Sequence, residues 1–297
     1  MEWRCPACRE YGTHTGIRLT TPHALYRCGR CRTEWLEPSD GATGGHADRM
    51  SSYWEPHKFA LFENHEVKLE FEQRYSEALD RASRHRDRLE SALDFGCGTG
   101  NHLEFLQSRE LTAFGVDINE GALARARARG LNVAHASNLS TLIPEESVDL
   151  VTIWDVIEHL YDPLSGLRAA VSRLRVGGIL ILETPNADFM PRRLLLGLGK
   201  HTGGRVSWFE TMYYWEHKVY FSALGLKTIL SEVQCEILAL ERRTSPRAKM
   251  SHYFSHDAAV QGTGWSHVVK RTWPVAERLT RRAGSGNALF VIAKRER

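Results

Sequence analysis

The chain has 297 residues, of which 42% are hydrophobic and 25% charged, and its net charge is +3. These are the proportions of an ordinary soluble globular protein, long enough for one α/β domain with a sizeable core plus a small appendage. No apolar run approaches the roughly eighteen residues of a membrane span, and the opening MEWRCPAC has no h-region, so a bacterial-type cytoplasmic protein is expected.

Charge is unevenly placed: residues 1–37 carry +2, residues 38–241 carry −8 and residues 242–297 carry +9. The basic end reads either as a face for an anionic substrate or surface, or as an ordinary solvated face.

In chain order, the first element is a cysteine framework, Cys5-Pro6-Ala7-Cys8 followed nineteen residues later by Cys28-Gly29-Arg30-Cys31. Two such knuckles supply four thiolates that can surround one tetrahedral Zn²⁺, with no position left open for chemistry. A disulfide reading competes poorly, because nothing marks the chain as secreted. Gly29 suits the tight turn that aims backbone amides at sulfur. Residues 1–37 hold too few apolar side chains for a core of their own, so the metal would supply much of the folding free energy of this zinc ribbon. Its role is either structural or one of docking a substrate, a partner or nucleic acid, with Arg27, Arg30, Arg32 and Trp35 around the second knuckle.

Residues 38–52 are rich in turn formers and read as a linker; the main domain is taken as 53–297. From Glu55 to Leu89 the apolar residues fall at helical spacing among charges, predicting two helices that partly cover a ligand cleft. Tyr53, Trp54 and His57 either touch substrate there or simply pack.

The stretch Leu93-Asp94-Phe95-Gly96-Cys97-Gly98-Thr99-Gly100 reads as a strand, a tight turn and a helix start. Alternate glycines let the backbone turn and let a ligand lie against the main chain. Their G-x-G-x-G spacing differs from the pyrophosphate cradle G-x-G-x-x-G. Asp117 ends a second strand, where a carboxylate suits the two hydroxyls of a ribose. Strands are predicted near 91–95, 112–117, 131–135, 147–154 and 177–183, and helices near 101–109, 119–129 and 162–175. That alternation implies a parallel sheet with helices on both faces and ligands at the carboxyl ends of the strands.

Residues 187–216 lapse from regular pattern and read as a lid, with the aromatic cluster Trp208, Phe209, Tyr213, Tyr214 and Trp215. A helix near 218–231, a strand near 234–241 and a closing strand at 288–294 follow. Between the last two lies a basic insertion, about 243–286, with a helix expected at 264–282.

LDFGCGTG, GVDIN, DVIEHLYDP and GGILILETPN, in this order and at these separations, resemble the class I S-adenosylmethionine-dependent methyltransferases, in particular the bacterial quinone-precursor, sugar and natural-product O-methyltransferases. The likeness is strong over 93–186, looser over 213–240 and absent from the first fifty residues. It implies a Rossmann-like seven-stranded sheet, here preceded by the ribbon, with the two last strands as an antiparallel end pair. It also implies S-adenosylmethionine held by Asp94, Gly96, Cys97, Gly98 and Gly100 around the methionine moiety, Asp117 on the ribose, Ile118 on the adenine, and Asp155 where sulfonium and acceptor meet. Ser137 or Asn138 stands where many relatives carry an acidic adenine contact. His159 is the leading general base, with His217 the second candidate. Asp155-x-x-Glu158-His159 also fits a pattern linked in quinone-pathway relatives to a divalent ion, and a purely structural role for Glu158 and His159 is the third reading. The implied activity is O-methylation of a small or medium-sized acceptor such as a sugar, a glycan end, a lipid-linked intermediate or a phenol. Rival readings are an RNA methyltransferase docking through the ribbon, and a catalytically inactive binding protein.

Overall fold

From Ser91 onward, strands and helices alternate because short apolar runs ending in glycine or acidic turns are followed by apolar residues at helical spacing. The computed structural model describes residues 4–18, 24–36, 56–86, 88–202, 213, 216–256, 275, 278–280, 282 and 284–296. Its helices are α1 (Pro56–Glu63), α2 (His65–Ala82), α3 (Asn101–Ser108), α4 (Glu120–Ala128), the single turn α5 (Leu139–Leu142), α6 (Pro163–Val171), α7 (Met190–Thr202), α8 (Ala223–Glu232) and α9 (Arg247–His256). The strands are β1 (Gly12–Arg18), β2 (Ala24–Cys28), β3 (Glu34–Leu36), β4 (Ser91–Phe95), β5 (Thr112–Asp117), β6 (Val133–His135), β7 (Val148–Trp154), β8 (Leu174–Pro185), β9 (Val219–Tyr220), β10 (Cys235–Arg243) and β11 (Ala288–Arg295).

Seven strands form the main sheet in the order β10-β11-β8-β7-β4-β5-β6. β4 to β8 run parallel, and β11 is antiparallel to both its neighbours, as expected of the end pair. Both faces are covered, so the central strands bury successive residues on opposite sides. Leu93, Val151, Leu180 and Val291 pack with α6 and α8, whereas Ala92, Leu150, Ile181 and Phe290 pack with α2, α3 and α4. α2 places Val67, Phe71, Tyr75, Ala78, Leu79 and Ala82 on one stripe, and Asn64 caps its start by accepting from the Val67 amide at 3.2 Å.

Asp149, at the end of the sheet away from the ligand edge, joins three strands. It is 2% exposed and accepts from Arg86 (2.6 Å), Arg175 (2.7 Å), the Glu90 and Ser91 amides (3.1 Å each) and Ser91 Oγ (3.0 Å). Burial alone would push its carboxyl up; these bonds outweigh burial and hold it at about 2, below the ordinary 3.8. Stability from Asp149 is therefore full above pH 3.8 and lost as pH falls through about 2. Asp149→Ala leaves two arginines facing an empty site and is expected to cost about 3 kcal/mol in denaturant unfolding.

Several boundaries differ from the sequence expectation. The helix expected at 162–175 stops at Val171, since β8 begins at Leu174, well before 177. The helix expected from 218 begins at Ala223, because Ser222 caps it by accepting from the Gly225 amide at 2.9 Å, and Val219–Tyr220 is instead a strand. The lid stretch contains the thirteen-residue helix α7. Most of the 264–282 helix, the linker 38–52, Tyr53, Trp54, Trp208, Phe209, Tyr214, Trp215 and the His57 side chain lie outside the described residues. Tyr213 is buried, and its hydroxyl donates to Glu34 Oε2 at 2.7 Å, so it packs against the ribbon.

The amino-terminal unit is a four-stranded sheet, β1-β2-β3-β9, whose last strand comes from the main domain. Its core is shared too: Cys5, Ala7, Cys28, Cys31 and Trp35 pack in the same cluster as Leu226, Ile229 and Leu230 of α8. That sharing is how so short a segment finds an apolar interior. Among the described residues no helix is long and apolar enough to cross a membrane.

Candidate active site

β4 carries Asp94 and Phe95 to the carboxyl edge of the sheet, where the chain must reverse into α3. Gly96, Gly98 and Gly100 take φ of +86°, +52° and +88°, a region that side chains disfavour. A Cβ on Gly96 would lie 2.3 Å from Val156 Cγ2, and one on Gly100 would lie 2.2 Å from Leu131 Cδ1. Gly96 thus lets the loop close on the exit of β7. Gly100 lets α3 start against Leu131 and is not among the residues that line the cleft.

The Gly96 and Cys97 amides donate to Val116 O at 2.8 and 3.0 Å, seating the loop on β5. Asp117 accepts from the Gly98 amide through Oδ2 (2.9 Å) and from the Asn119 amide through Oδ1 (2.8 Å). Two amides therefore fix the carboxylate, and each oxygen keeps further acceptor capacity for hydroxyl donors. Burial, aided by the nearby Asp94 charge and opposed by these amide bonds, leaves the Asp117 carboxyl raised above its ordinary value. Beside it Ile118 is 45% exposed, an apolar ledge on the cleft.

The floor is polar and buried. Asp94 Oδ1 accepts from Thr152 Oγ1 at 2.8 Å and lies 3.2 Å from His102 Nδ1. Tyr75 packs on His102 and Trp154, with ring centroids 4.3 and 5.0 Å away. Trp154 Nε1 is buried and has no hydrogen-bond partner among the described residues, although its ring lines the cleft. An orphaned donor of that kind calls for a partner that the described residues do not supply.

The opposite wall begins at Asp155, whose φ of +52° is a strained conformation for a side-chain-bearing residue and turns the chain sharply out of β7. Its carboxylate lies 2.5 Å from Lys249 Nζ of α9, so part of the basic insertion reaches the site. Arg74 of α2 ties the same region together, donating to Glu183 (2.6 and 2.7 Å) and to Thr244 O (2.6 Å).

A 3₁₀ turn, Ile157–His159, follows. His159 Nδ1 lies 3.1 Å from Glu216 O, an acceptor only, so Nδ1 carries the proton and Nε2 the lone pair. Burial lowers the His159 pKa from 6.5 to about 4, which keeps the ring neutral at physiological pH. His217 packs edge-on against His159 with centroids 4.7 Å apart, and burial also pushes it well below the ordinary range. His159 lines the cleft, whereas His217 stands behind it. The donor set that converges is Glu158, His159 and His217, within 4.8 Å of one another. Asp155, expected with Glu158 and His159 as an ion site, is drawn instead to Lys249. Burial pushes the Glu158 carboxyl well above its ordinary range, and Oε2 accepts from Thr184 Oγ1 at 2.9 Å.

One cleft of about 200 Å³ joins these parts, running from Asp117, Ile118 and Ala136 past Asp94 and Gly96–Thr99 to Asp155, His159 and Lys249. Phe62, Phe71 and Tyr75 of the two leading helices close it, as the sequence led us to expect. Asn138 is exposed and does not line it; Ala136 forms that wall. Lys249 was not singled out from sequence, since a lysine in a basic stretch carries no local signal of a site.

In the ribbon, the four Sγ atoms lie within 4.8 Å of one another, with Cys5 and Cys31 3.5 Å apart and Cys8 and Cys28 3.4 Å apart. Four sulfurs on a tetrahedral zinc with ~2.3 Å bonds stand roughly 3.8 Å apart, so the cluster fits that ion. The two knuckles match: the Arg9 amide donates to Cys5 O (2.9 Å) and the Arg32 amide to Cys28 O (3.0 Å). Arg9 and Arg32 take φ of +62° and +64°. The positive φ of each knuckle thus falls on the residue after its second cysteine and not on Gly29.

A family model described as a methyltransferase domain matches residues 64–240, more than half of the chain. The chain belongs to this family. Among the chain's curated relatives are a probable S-adenosylmethionine-dependent methyltransferase of Mycolicibacterium smegmatis (32% identical over 112 residues; 37% of this chain and 44% of that one) and a ubiquinone biosynthesis O-methyltransferase of Pseudomonas fluorescens (35% over 104 residues; 32% and 44%). Trans-aconitate 2-methyltransferase of Rhizobium rhizogenes is 33% identical over 113 residues, 37% of this chain and 44% of that one. The chain thus spans less than half the length of these relatives. Among solved structures, the plantazolicin methyltransferase BamL in complex with a triazolic desmethylPZN analog and SAH shares the fold, with a TM-score of 0.54 and 16% identity over 85% of this chain and 95% of that one. The class I methyltransferase fold expected from sequence is therefore the one observed.

Proposed function

We propose that this methyltransferase moves the methyl group of S-adenosylmethionine to an oxygen of a small or medium-sized metabolite such as a sugar, a glycan end, a lipid-linked intermediate or a phenol. The observation that carries the reading is the single cleft with a ribose-type carboxylate, Asp117, at one end and a neutral imidazole, His159, at the other. When bound, S-adenosylmethionine supplies an electrophilic methyl on a sulfonium. Asp117 would hold ribose hydroxyls, Ile118 and Ala136 would flank the adenine, and Asp94 would lie toward the methionine end. His159 Nε2 would take the acceptor hydroxyl's proton as the methyl passes from sulfur to oxygen. Water exclusion by Phe62, Phe71 and Tyr75 keeps the acceptor as the nucleophile at hand. The names of two relatives, a ubiquinone biosynthesis O-methyltransferase and a trans-aconitate 2-methyltransferase, support a metabolite acceptor.

We further propose one structural Zn²⁺ on Cys5, Cys8, Cys28 and Cys31. Docking of RNA on the ribbon finds less support: Arg27 and Arg32 face Glu34 and Asp188 at 3.6 and 3.8 Å, and Arg30 pairs with Glu10 at 2.8 Å, so carboxylates offset their charge. The test is incubation of the zinc-loaded chain with methyl-labelled S-adenosylmethionine against panels of hydroxylated metabolites and structured RNA. Label is expected in a metabolite panel as an alkali-stable ether; label only in RNA would replace this reading.

A further inference from the structure

We infer that the metal-knit ribbon is a positioning element for the acceptor side of the cleft, acting through the segment from Glu216 to Ser222. The inference rests on the proposed roles of His159 and of zinc. On one edge the segment is bonded to the ribbon. Val219 and Tyr220 pair with Trp35 and Glu34, the Leu36 amide donates to Lys218 O at 3.0 Å, and Ser222 Oγ donates to the carbonyl of Cys31. On the other edge it is bonded to the catalytic turn. The Lys218 amide donates to Glu158 O at 2.7 Å, and His159 Nδ1 donates to Glu216 O at 3.1 Å. Glu216 is held from a third side by Lys58 of α1, through a buried ion pair at 2.7 Å. Seven residues thus link a metal ligand's own carbonyl to the bond that sets the tautomer and orientation of His159.

The close approach is built into the sequence on both sides. A Cβ on Gly225 would lie 1.9 Å from Thr33 Oγ1, so only glycine lets α8 reach the second knuckle. A Cβ on Gly12 would lie 2.0 Å from the Trp35 ring, so glycine also lets the tryptophan lie across β1 beneath the pairing strand. The far end of the segment has an anchor of its own, since Phe221 bridges Asn186 and accepts from the Ala187 amide at 2.9 Å. Losing the metal should therefore loosen residues 216–220 and leave α8 and the main sheet in place. The cofactor end is independent, for the bonds that seat the glycine loop and Asp117 all come from the main domain.

The test uses the full chain, zinc-loaded and chelator-stripped, by hydrogen exchange with residue resolution beside titration with S-adenosylhomocysteine. The Lys218 amide is diagnostic, because it bonds to Glu158 and not to the ribbon. Stripping should speed its exchange at least about tenfold, while residues 93–100 keep their protection and S-adenosylhomocysteine affinity stays within about twofold. Ser222→Ala, with zinc still at one per chain, should reproduce a smaller rise at Lys218, and Ser222→Thr, which keeps the hydroxyl, should restore protection. Faster exchange confined to residues 4–36 would overturn the coupling. So would loss of protection at 93–100 together with loss of S-adenosylhomocysteine binding, which would make the ribbon a stability element of the whole fold. A folded chain purified without zinc and unchanged by chelator would overturn the metal's part in it, whatever its affinity for S-adenosylhomocysteine.

Discussion

Asp117→Ala should bind S-adenosylhomocysteine about 10- to 100-fold more weakly than the natural chain, the size expected when a charged acceptor of two hydroxyls is removed. The loss follows from how little else can replace that carboxylate. It stands at the tip of β5, fixed by the Gly98 and Asn119 amides, and its neighbour Ile118 offers only apolar contact. The fold should survive, because desolvation already works against the charged Asp117 and no arginine or lysine pairs with it among the described residues. Asp117→Asn is the sharper variant: its amide can still accept at one position but brings a donor to face hydroxyl donors, so it should fall between the natural chain and alanine. Calorimetric titration of the three chains checks the order.

His159→Asn should lower methyl transfer about 10²- to 10³-fold with S-adenosylhomocysteine affinity nearly unchanged. Asparagine can keep a donor near the position of Nδ1, and hence the bond to Glu216 O, while removing the Nε2 lone pair. His217→Asn should cost far less, since that ring backs His159 and does not line the cleft. The pH profile separates a base from a merely buried ring. With its pKa lowered from 6.5 to about 4 by burial, His159 stays unprotonated through the neutral range, so the acid limb set by this group should fall near pH 4. The same shift has a stability consequence. Between pH 6.5 and 4 the unfolded chain binds a proton that the folded chain does not, so stability contributed by keeping His159 neutral is full above 6.5 and lost as pH falls towards 4. The asparagine variant should lack that component of the slope in denaturant unfolding followed against pH.

The glycine loop and the strand-tip carboxylate were legible because they sit where topology must put them. A glycine loop after the first sheet strand and a carboxylate at the tip of the next can be read from spacing alone. The cysteine framework was legible for the same kind of reason, two knuckles having few other uses. What escaped were long-range pairings with no local periodicity. Val219–Tyr220 is a two-residue strand followed by a helix, so its β-branched and aromatic residues merged into the helix pattern, although Ser222 ahead of Ala223-Leu224-Gly225 is a cap signal that marks the true start. Lys58, Lys249 and Arg74 are lysines and an arginine in charged helices, indistinguishable in sequence from solvated ones, yet each meets a carboxylate brought from far along the chain. Gly100 was read as a ligand contact because it belongs to the motif; what its sequence context did not show is that its missing side chain makes room for Leu131. His217 matched a family position and packs edge-on against His159, beside Glu158.

The most direct measurement is calorimetric titration of the purified, zinc-loaded full chain with S-adenosylhomocysteine. One site per chain, displaced by S-adenosylmethionine and weakened by Asp117→Ala, is the predicted result. A folded, zinc-loaded chain that gives no saturable heat with either ligand would contradict the assignment of this cleft to S-adenosylmethionine.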